Sequence, residues 1–257
     1  MHITPEYLGD GLAIVPLEEE IYDPIGIDPA LPQHPFLAFS PAGPGAGKST
    51  VIQWLLCTHY NDFFNKIYII SSTINKDISW KKFKFASNRK FERYSDEIFK
   101  EIAYDISHNS ENMRCLIIID DMTGQNIWAQ NTEFSKFVSI HRHCPSRMPP
   151  NICATSIYVI AHSYKSIPPK IRKNIYDLIL FKIDSDKEVE AISEDNRGLI
   201  LTSKDFRNIY IAATEEPHDF LYIKKKELVK TRFRKNFDIL LKIDELKGEF
   251  EKENIDV

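Results

Sequence analysis

The chain has 257 residues, of which 43% are hydrophobic and 27% charged, a composition typical of a globular protein with a sizeable core. This composition disfavours an intrinsically disordered protein. A membrane-spanning protein is disfavoured because no apolar run approaches the ~18 residues that cross a bilayer, and the N-terminus does not resemble a signal peptide. We therefore expect a soluble, intracellular protein. The formal net charge of -4 gives no overall basic character, so nucleic acid would have to meet a local patch or an oligomeric channel.

Prolines crowd the first 35 residues, which also carry an acidic run at 18–20. Proline at this density forbids long helices and central strands. Residues 1–35 are therefore predicted to form an extended arm that lies on its own domain or on a neighbouring subunit. One short strand is predicted near 12–15.

The stretch from 36 to 52 carries the strongest signal, because a short apolar run leads into a glycine-rich loop and then into a helical pattern. From Ala42 to Ser49 it reads A-x-x-x-x-G-K-S, with alanine where the usual phosphate-binding pattern has its first glycine. Glycines let backbone N–H groups approach phosphate oxygens, and the helix N-terminus favours their negative charge. Lys48 adds a charge for the β- and γ-phosphates, and the Ser49 hydroxyl can bind Mg²⁺. The predicted nucleotide-binding residues are Gly43, Pro44, Gly45, Ala46, Gly47, Lys48, Ser49 and Thr50.

The apolar pattern beyond this loop predicts an α/β domain with a mostly parallel sheet and helices on both faces. Further strands are predicted at 66–71, 115–119, 157–161, 177–183, 209–213 and 220–224. Helices are predicted from the glycine loop to near His59, after the caps Ser95 and Thr132, and briefly after Pro168. Residues 184–198 resemble a charged loop, and 225–252 an amphipathic helix whose basic cluster either is solvated or follows a phosphate backbone.

The most apolar run, 115–119, ends abruptly in Asp120 and Asp121. The carboxyl end of a buried parallel strand is where open α/β sheets bind ligands. Beside the glycine loop, Asp120 is predicted to hold Mg²⁺ through its water shell, and Asp121 to orient or deprotonate the attacking water. The alternative is a strand that simply stops at a solvated acidic turn.

Two further residues are candidates for the chemistry of this site. His162 follows the predicted strand 157–161 and either senses the γ-phosphate or is an ordinary histidine at a strand end. Arg172 is either a surface charge or an arginine finger, a residue that stabilises developing phosphoryl charge and often comes from a neighbouring subunit.

Five segments, in this order, resemble the viral genome-packaging ATPases of the FtsK-HerA type, found in poxviruses, other large nucleocytoplasmic DNA viruses and virophages. The segments are FLAFSPAGPGAGKST, IYIISSTINKDISW, LIIIDDM, FSKFVSIHRH and YVIAHSYKSIPPKIRKN. The resemblance implies a P-loop NTPase that uses ATP and Mg²⁺ and assembles as a homo-oligomeric ring, a pentamer or hexamer. Such a motor drives double-stranded DNA into a preformed capsid, with capsid or vertex proteins as partners, in the virion or the host-cell cytoplasm.

The resemblance also implies roles for individual residues. Lys48 and Ser49 match the phosphate and Mg²⁺ positions, Asp120 the metal carboxylate and Asp121 the catalytic acid. Where the family commonly has a glutamine after the next strand, this chain has His162, followed by Ser163 as an alternative sensor. Arg142, in an Arg-His pair, and Arg172, in a pattern of proline, isoleucine-arginine and asparagine, are the finger candidates.

The expected organisation is an arm (1–35), an ATPase core (36–224) and a helical tail (225–257). Two other functions stay open at this point. A nucleoside or nucleotide kinase shares the glycine loop, but no arginine cluster is dense enough for a convincing lid. A non-hydrolysing scaffold at the virion vertex would need only one metal carboxylate, so the second acidic residue argues against it.

Overall fold

The computed structural model describes residues 26–83, 89–110, 113–122, 124–129, 131–145, 154–198 and 201–242. The predicted strand at 12–15, most of the arm and the last part of the tail lie outside these ranges. No helix in the described part of the chain is long and apolar enough to cross a membrane.

A mixed sheet forms the centre of the described residues. Its strands are β1 (Leu37–Pro41), β2 (Lys66–Ser71), β3 (Lys90–Phe91), β4 (Cys115–Asp120), β5 (Thr155–Ala161), β6 (Asp177–Phe181), β7 (Phe220–Lys224), β8 (Phe233–Lys235) and β9 (Ile239–Leu240). They are arranged in the order β3-β2-β4-β5-β1-β6-β7-β8-β9. The first six in this order are parallel, and β7, β8 and β9 extend the sheet as antiparallel strands.

Helices cover both faces of the sheet. They are α1 (Lys48–Thr58), α2 (Asp96–Asn109), α3 (Glu133–Val138), α4 (Pro169–Arg172), α5 (Asp186–Asn196) and α6 (Ser203–Ala213). Alternate residues of the strands point to opposite faces, so Ile117 and Ile119 belong to the core under α2, α3, α5 and α6, whereas Leu116 and Ile118 pack with α1. This arrangement confirms the predicted α/β class with a mostly parallel sheet.

Most elements begin and end near their predicted positions. The runs predicted as strands at 66–71, 115–119, 157–161 and 220–224 lie in strands, and the run predicted at 177–183 forms a strand up to residue 181. The two predicted caps are confirmed, because the Ser95 side chain accepts a hydrogen bond from Ile98 N and the Thr132 side chain accepts one from Ser135 N.

Three predictions made from local patterns are wrong. The run 209–213 lies in α6, where a capping box of Thr202 and Asp205 starts the helix and Phe206 and Tyr210 are buried one turn apart. The charged segment 184–198 contains α5, because Val189 and Ile192 supply a narrow buried stripe. The tail is not helical up to residue 242, because Phe233 pairs with Ile223 at the edge of β7 and forms β8 instead.

Candidate active site

The glycine loop connects the carboxyl end of β1 to the first turn of α1. Gly45 and Gly47 have φ angles of 75° and 107°, a region that side chains rarely adopt. A Cβ atom at Gly47 would also lie only 3.3 Å from Phe181 Cε1 at the end of β6. Backbone conformation and close packing therefore both require glycine at this position.

Lys48 lies inside the loop, where its side chain is almost completely buried. Its Nζ atom donates hydrogen bonds to the carbonyl oxygens of Ala42 at 2.5 Å and Gly43 at 2.6 Å. Burial lowers the pKa of Lys48, and the nearby Asp121 and Asp120 oppose that shift. Together with the N–H groups of the first turn of α1, which carries Ser49 and Thr50, this cation makes the loop suited to a polyphosphate.

Asp120 ends β4, the strand between β2 and β5, and is only 4% exposed. Its Oδ2 atom accepts hydrogen bonds from Trp80 Nε1 at 3.0 Å and from Ser71 Oγ at 3.2 Å. Burial raises the pKa of Asp120, and these two hydrogen bonds act in the opposite direction. The two donors hold the carboxylate in a fixed orientation at the edge of the sheet where the glycine loop lies.

Trp80 and Ser71 were not predicted as site residues. Trp80 lies in a short 3₁₀-helix, Ile78–Lys82, whose surroundings show no clear periodicity in the sequence. The one available signal is that both residues fall within the segment IYIISSTINKDISW, which contributes to the family resemblance.

Asp121 and His162 come together at the ends of neighbouring strands. The backbone N–H of Asp121 donates to Ile160 O at 3.2 Å, and Asp121 Oδ1 lies 2.8 Å from His162 Nε2. Both side chains are about one third exposed or more, at 34% and 40% respectively, so they face solvent at the edge of the sheet. Ser163, the alternative sensor, instead donates a hydrogen bond to Glu188 Oε1 at 2.9 Å.

The two candidate arginines occupy other parts of the molecule. Arg142 neighbours His141, whose Nδ1 atom lies 2.6 Å from the carbonyl oxygen of Thr155, the first residue of β5. The glycine loop contacts the other end of β5, six residues further along the strand. Arg142 therefore lies roughly 20 Å from the glycine loop, measured along β5. Its guanidinium group contacts the ring of Tyr176, 5.4 Å from the ring centroid.

Arg172, at the end of α4, is held within its own subunit. Its side chain is 14% exposed, and its Nε atom lies 3.5 Å from Asp195 Oδ2. The guanidinium group also lies over the ring of Tyr164, 4.7 Å from the centroid. Neither contact includes the glycine loop.

A cavity of about 880 Å³ adjoins the loop and the first two turns of α1. This volume lies within the range of nucleotide-sized ligand pockets. Loop residues 45–50 line the cavity together with Trp54 and Phe237. Further lining comes from residues 28–31, which precede β1, and from 236–238, between β8 and β9. Asp77, Ser79, Phe181, His218 and Phe220 also line the cavity.

Solved structures of similar fold include two complexes of the genome packaging NTPase B204 from Sulfolobus turreted icosahedral virus 2. The complex with sulfate has a TM-score of 0.56 and 12% identity, and covers 74% of this chain and 92% of that chain. The complex with ATP-gammaS has a TM-score of 0.56 and 14% identity, with coverage of 76% and 95%. The DNA-packaging ATPase B204 from Sulfolobus turreted icosahedral virus matches with the same TM-score of 0.56 and 14% identity over 74% of this chain and 93% of that chain. These likenesses identify the fold as that of the P-loop NTPases.

A search of curated protein sequences found no match. The family model described as Poxvirus A32 protein matches residues 29–216, well over half of the chain. The matched span contains the glycine loop, the acidic pair and His162, and the resemblance to viral genome-packaging ATPases is thereby confirmed. The chain belongs to the Poxvirus A32 protein family.

Proposed function

We propose that this protein is a viral genome-packaging motor, which hydrolyses ATP with Mg²⁺ and drives double-stranded DNA into a preformed capsid. One observation carries the proposal. The glycine loop with Lys48 and the acidic pair with His162 converge on one edge of the sheet, in a chain that belongs to the Poxvirus A32 protein family. Family membership and the shared fold support a DNA-packaging ATPase.

The glycine loop and Lys48 bind the phosphates in this proposal. Lys48 already lies between the carbonyl oxygens of Ala42 and Gly43, so it needs only to exchange these acceptors for phosphate oxygens. Because the loop excludes water from the ammonium group, its attraction to phosphate is stronger than at an open surface.

Ser49 and Asp120 fit the needs of a Mg²⁺ ion that is held mainly by nucleotide and water. Such an ion takes only one or two oxygen ligands from the protein. The Asp120 carboxylate is oriented by two donors, and Ser49 lies in the first turn of α1. Among the described residues, no group of three or more His, Cys, Asp or Glu residues is suited to hold a metal alone. The bound ion would neutralise charge on the β- and γ-phosphate oxygens.

Asp121 and His162 are assigned to the attacking water. The 2.8 Å contact between them fixes the carboxylate of Asp121, which is exposed enough to accept a proton from water. His162 occupies the place of the glutamine common in similar ATPases and is proposed to report the presence of the γ-phosphate through this same contact.

The motor is proposed to be a ring of five or six subunits, with capsid or vertex proteins as its partners at the viral assembly site. Arg142 and Arg172 remain candidates for the finger that a subunit offers to its neighbour. Arg142 lies at the edge of the sheet opposite its own loop, which suits a contribution in trans. Lys226 contacts the same Tyr176 ring as Arg142, so this edge is also locally basic.

The proposal is tested by steady-state ATP hydrolysis with and without long double-stranded DNA, across a salt series. Lys48→Ala is expected to abolish turnover, and Asp121→Asn to lower kcat by about 100- to 10,000-fold. The matched controls are Lys136→Ala and Asp186→Asn, which change exposed residues paired with Glu133 and Arg207 respectively. DNA should stimulate hydrolysis, and the stimulation should fade as salt rises.

Three results would contradict the proposal. Hydrolysis indifferent to DNA would leave a generic ATPase. Phosphoryl transfer to a nucleoside, in place of water, would identify a kinase. ATP binding by an assembled ring without turnover would identify a nucleotide-binding scaffold.

A further inference from the structure

We propose that Trp54 and Phe237 form the platform on which the adenine base of ATP stacks. The inference rests on the proposed ATPase function and extends it from the phosphates to the base. The sequence motifs account for phosphate and metal binding but say nothing about what holds the rest of the nucleotide.

Trp54 has the right position relative to the phosphate loop. It follows Thr50 by four residues and Val51 by three, so all three lie on one face of α1. The helical rise places Trp54 roughly 6 Å beyond Thr50 along the axis. A nucleotide with its phosphates at the N-terminus of α1 therefore extends its base towards this side chain.

The Trp54 side chain is available for stacking and is backed by a fixed ring. It is 44% exposed, whereas Phe237 is only 7% exposed. The two rings are nearly parallel, with centroids 6.1 Å apart and an interplanar angle of 11°. Phe237 is itself held by edge contacts with Phe220 and Tyr222, each at 5.0 Å. A planar base in the cavity extends a stack that already exists.

The walls of the cavity complete a site for a base with an exocyclic amino group. Asp28 and Asp238 line it and offer carboxylate oxygens, which are hydrogen-bond acceptors. In the wall that follows β8, Asn236 Nδ2 donates to Asp219 Oδ1 at 3.0 Å. Two hydrogen bonds fix the wall that precedes β1. Arg234 Nη1 donates to Ala30 O at 2.8 Å, and the Tyr60 hydroxyl donates to Pro32 O at 2.7 Å. The cavity is therefore largely preformed, as ligand sites usually are.

The inference also gives a role to the strands that replace the predicted helical tail. Phe237 lies two residues after the end of β8, and the position of β8 is set by its pairing with β7. Asn236 lies between β8 and Phe237. Its backbone N–H donates to Phe220 O at 2.8 Å, and its φ angle is 56°. This tight turn brings Phe237 back over α1.

The test compares the binding of ATP with that of tripolyphosphate, which carries the same three phosphates but no base. Dissociation constants are measured by calorimetry for the full chain and for Trp54→Ala, Trp54→Phe and Lys48→Ala. Trp54→Ala is expected to weaken ATP binding by about 5- to 150-fold, the range for loss of one base-aromatic stack, and to leave tripolyphosphate binding unchanged. Trp54→Phe should restore most of the ATP affinity, and Lys48→Ala should weaken both ligands.

Tryptophan fluorescence supplies a second readout that does not depend on turnover. ATP should quench the emission of Trp54, tripolyphosphate should not, and the quenching should disappear in Trp54→Phe. The inference is overturned if Trp54→Ala binds ATP as tightly as the unchanged chain while Lys48→Ala does not, and the proposed function then stands. Failure of the unchanged chain to bind either ligand would overturn both.

Discussion

Replacing Trp80 with phenylalanine removes the indole N–H that donates to Asp120 and keeps an aromatic ring of similar shape in the core. Trp80 is 1% exposed, and its Nε1 atom lies 3.0 Å from Asp120 Oδ2. After the replacement, Ser71 would still donate to the same oxygen, from 3.2 Å. The carboxylate proposed to hold Mg²⁺ would then keep only one of these two donors and would be held less firmly in its present orientation.

The size of the effect follows from the strength of the lost hydrogen bond. A hydrogen bond to a charged group contributes about 1.5–3 kcal/mol, which corresponds to roughly 10- to 150-fold in a binding constant. Loss of a partner that orients a metal ligand typically costs about 10- to 100-fold in metal affinity. The Mg²⁺ concentration for half-maximal ATP hydrolysis should therefore rise by about 10- to 100-fold in Trp80→Phe.

The assay is a Mg²⁺ titration of ATP hydrolysis at saturating ATP, with Trp128→Phe as the matched control. Trp128 is partly buried and packs against Phe134, with ring centroids 5.5 Å apart, beside the core on the opposite face of the sheet from Trp80. The control therefore loses the same atoms without touching Asp120. The reasoning is refuted if the half-maximal Mg²⁺ concentration is unchanged in Trp80→Phe, or if it shifts equally in both variants.

Two further predictions concern stability. Gly47→Ala should lower the free energy of unfolding by about 1–3 kcal/mol, because it forces a side chain into a φ of 107° and against Phe181; urea unfolding should show no comparable loss in Gly43→Ala, where a Cβ meets nothing within 4 Å. Burial raises the pKa of Asp177 from 3.8 to about 6, although the Tyr222 hydroxyl donates to it. The folded state thus binds this proton more tightly, and the free energy of unfolding should fall by about 3 kcal/mol as pH rises from below 3.8 through about 6. Asp177→Asn should remove most of that fall in urea titrations across this range, and an unchanged pH dependence would contradict the assignment.

The features that the sequence predicts well are those whose physical cause is local. A strand buried on both faces, such as β4, must be a continuous apolar run, and the glycine loop needs its glycines at fixed spacing whatever surrounds it. The caps Ser95 and Thr132 act within three residues of themselves. These signals are sufficient to place the loop and the acidic pair at one edge of a parallel sheet.

The features that the sequence does not predict depend on distant partners. Trp80 reaches Asp120 across 40 positions of the chain, and Phe237 meets Trp54 only because β8 pairs with β7. In isolation, the sequence pattern around Phe233 is compatible with a helix. The segment forms β8 instead because β7 offers it a free edge with which to pair. The roles of Arg142 and Arg172 stay predictions, because a finger acts at a neighbouring subunit.

After β6 the strand pairing changes from parallel to antiparallel. Because of this change, the chain returns more often to the edge of the sheet at which the glycine loop lies. An antiparallel strand begins where its neighbour ends, so the connection that contains α5 and α6 returns to the edge at which β6 ended, and Phe220 lies beside Phe181. The turn after β8 then returns to the same edge, where Asn236 bonds to Phe220. His218, just before β7, lies with its Nδ1 atom 3.3 Å from Ala46 O in the glycine loop. These antiparallel strands thus bring the chain back to this edge twice, and a change at His218 acts directly on the glycine loop although the two are 172 residues apart in the sequence.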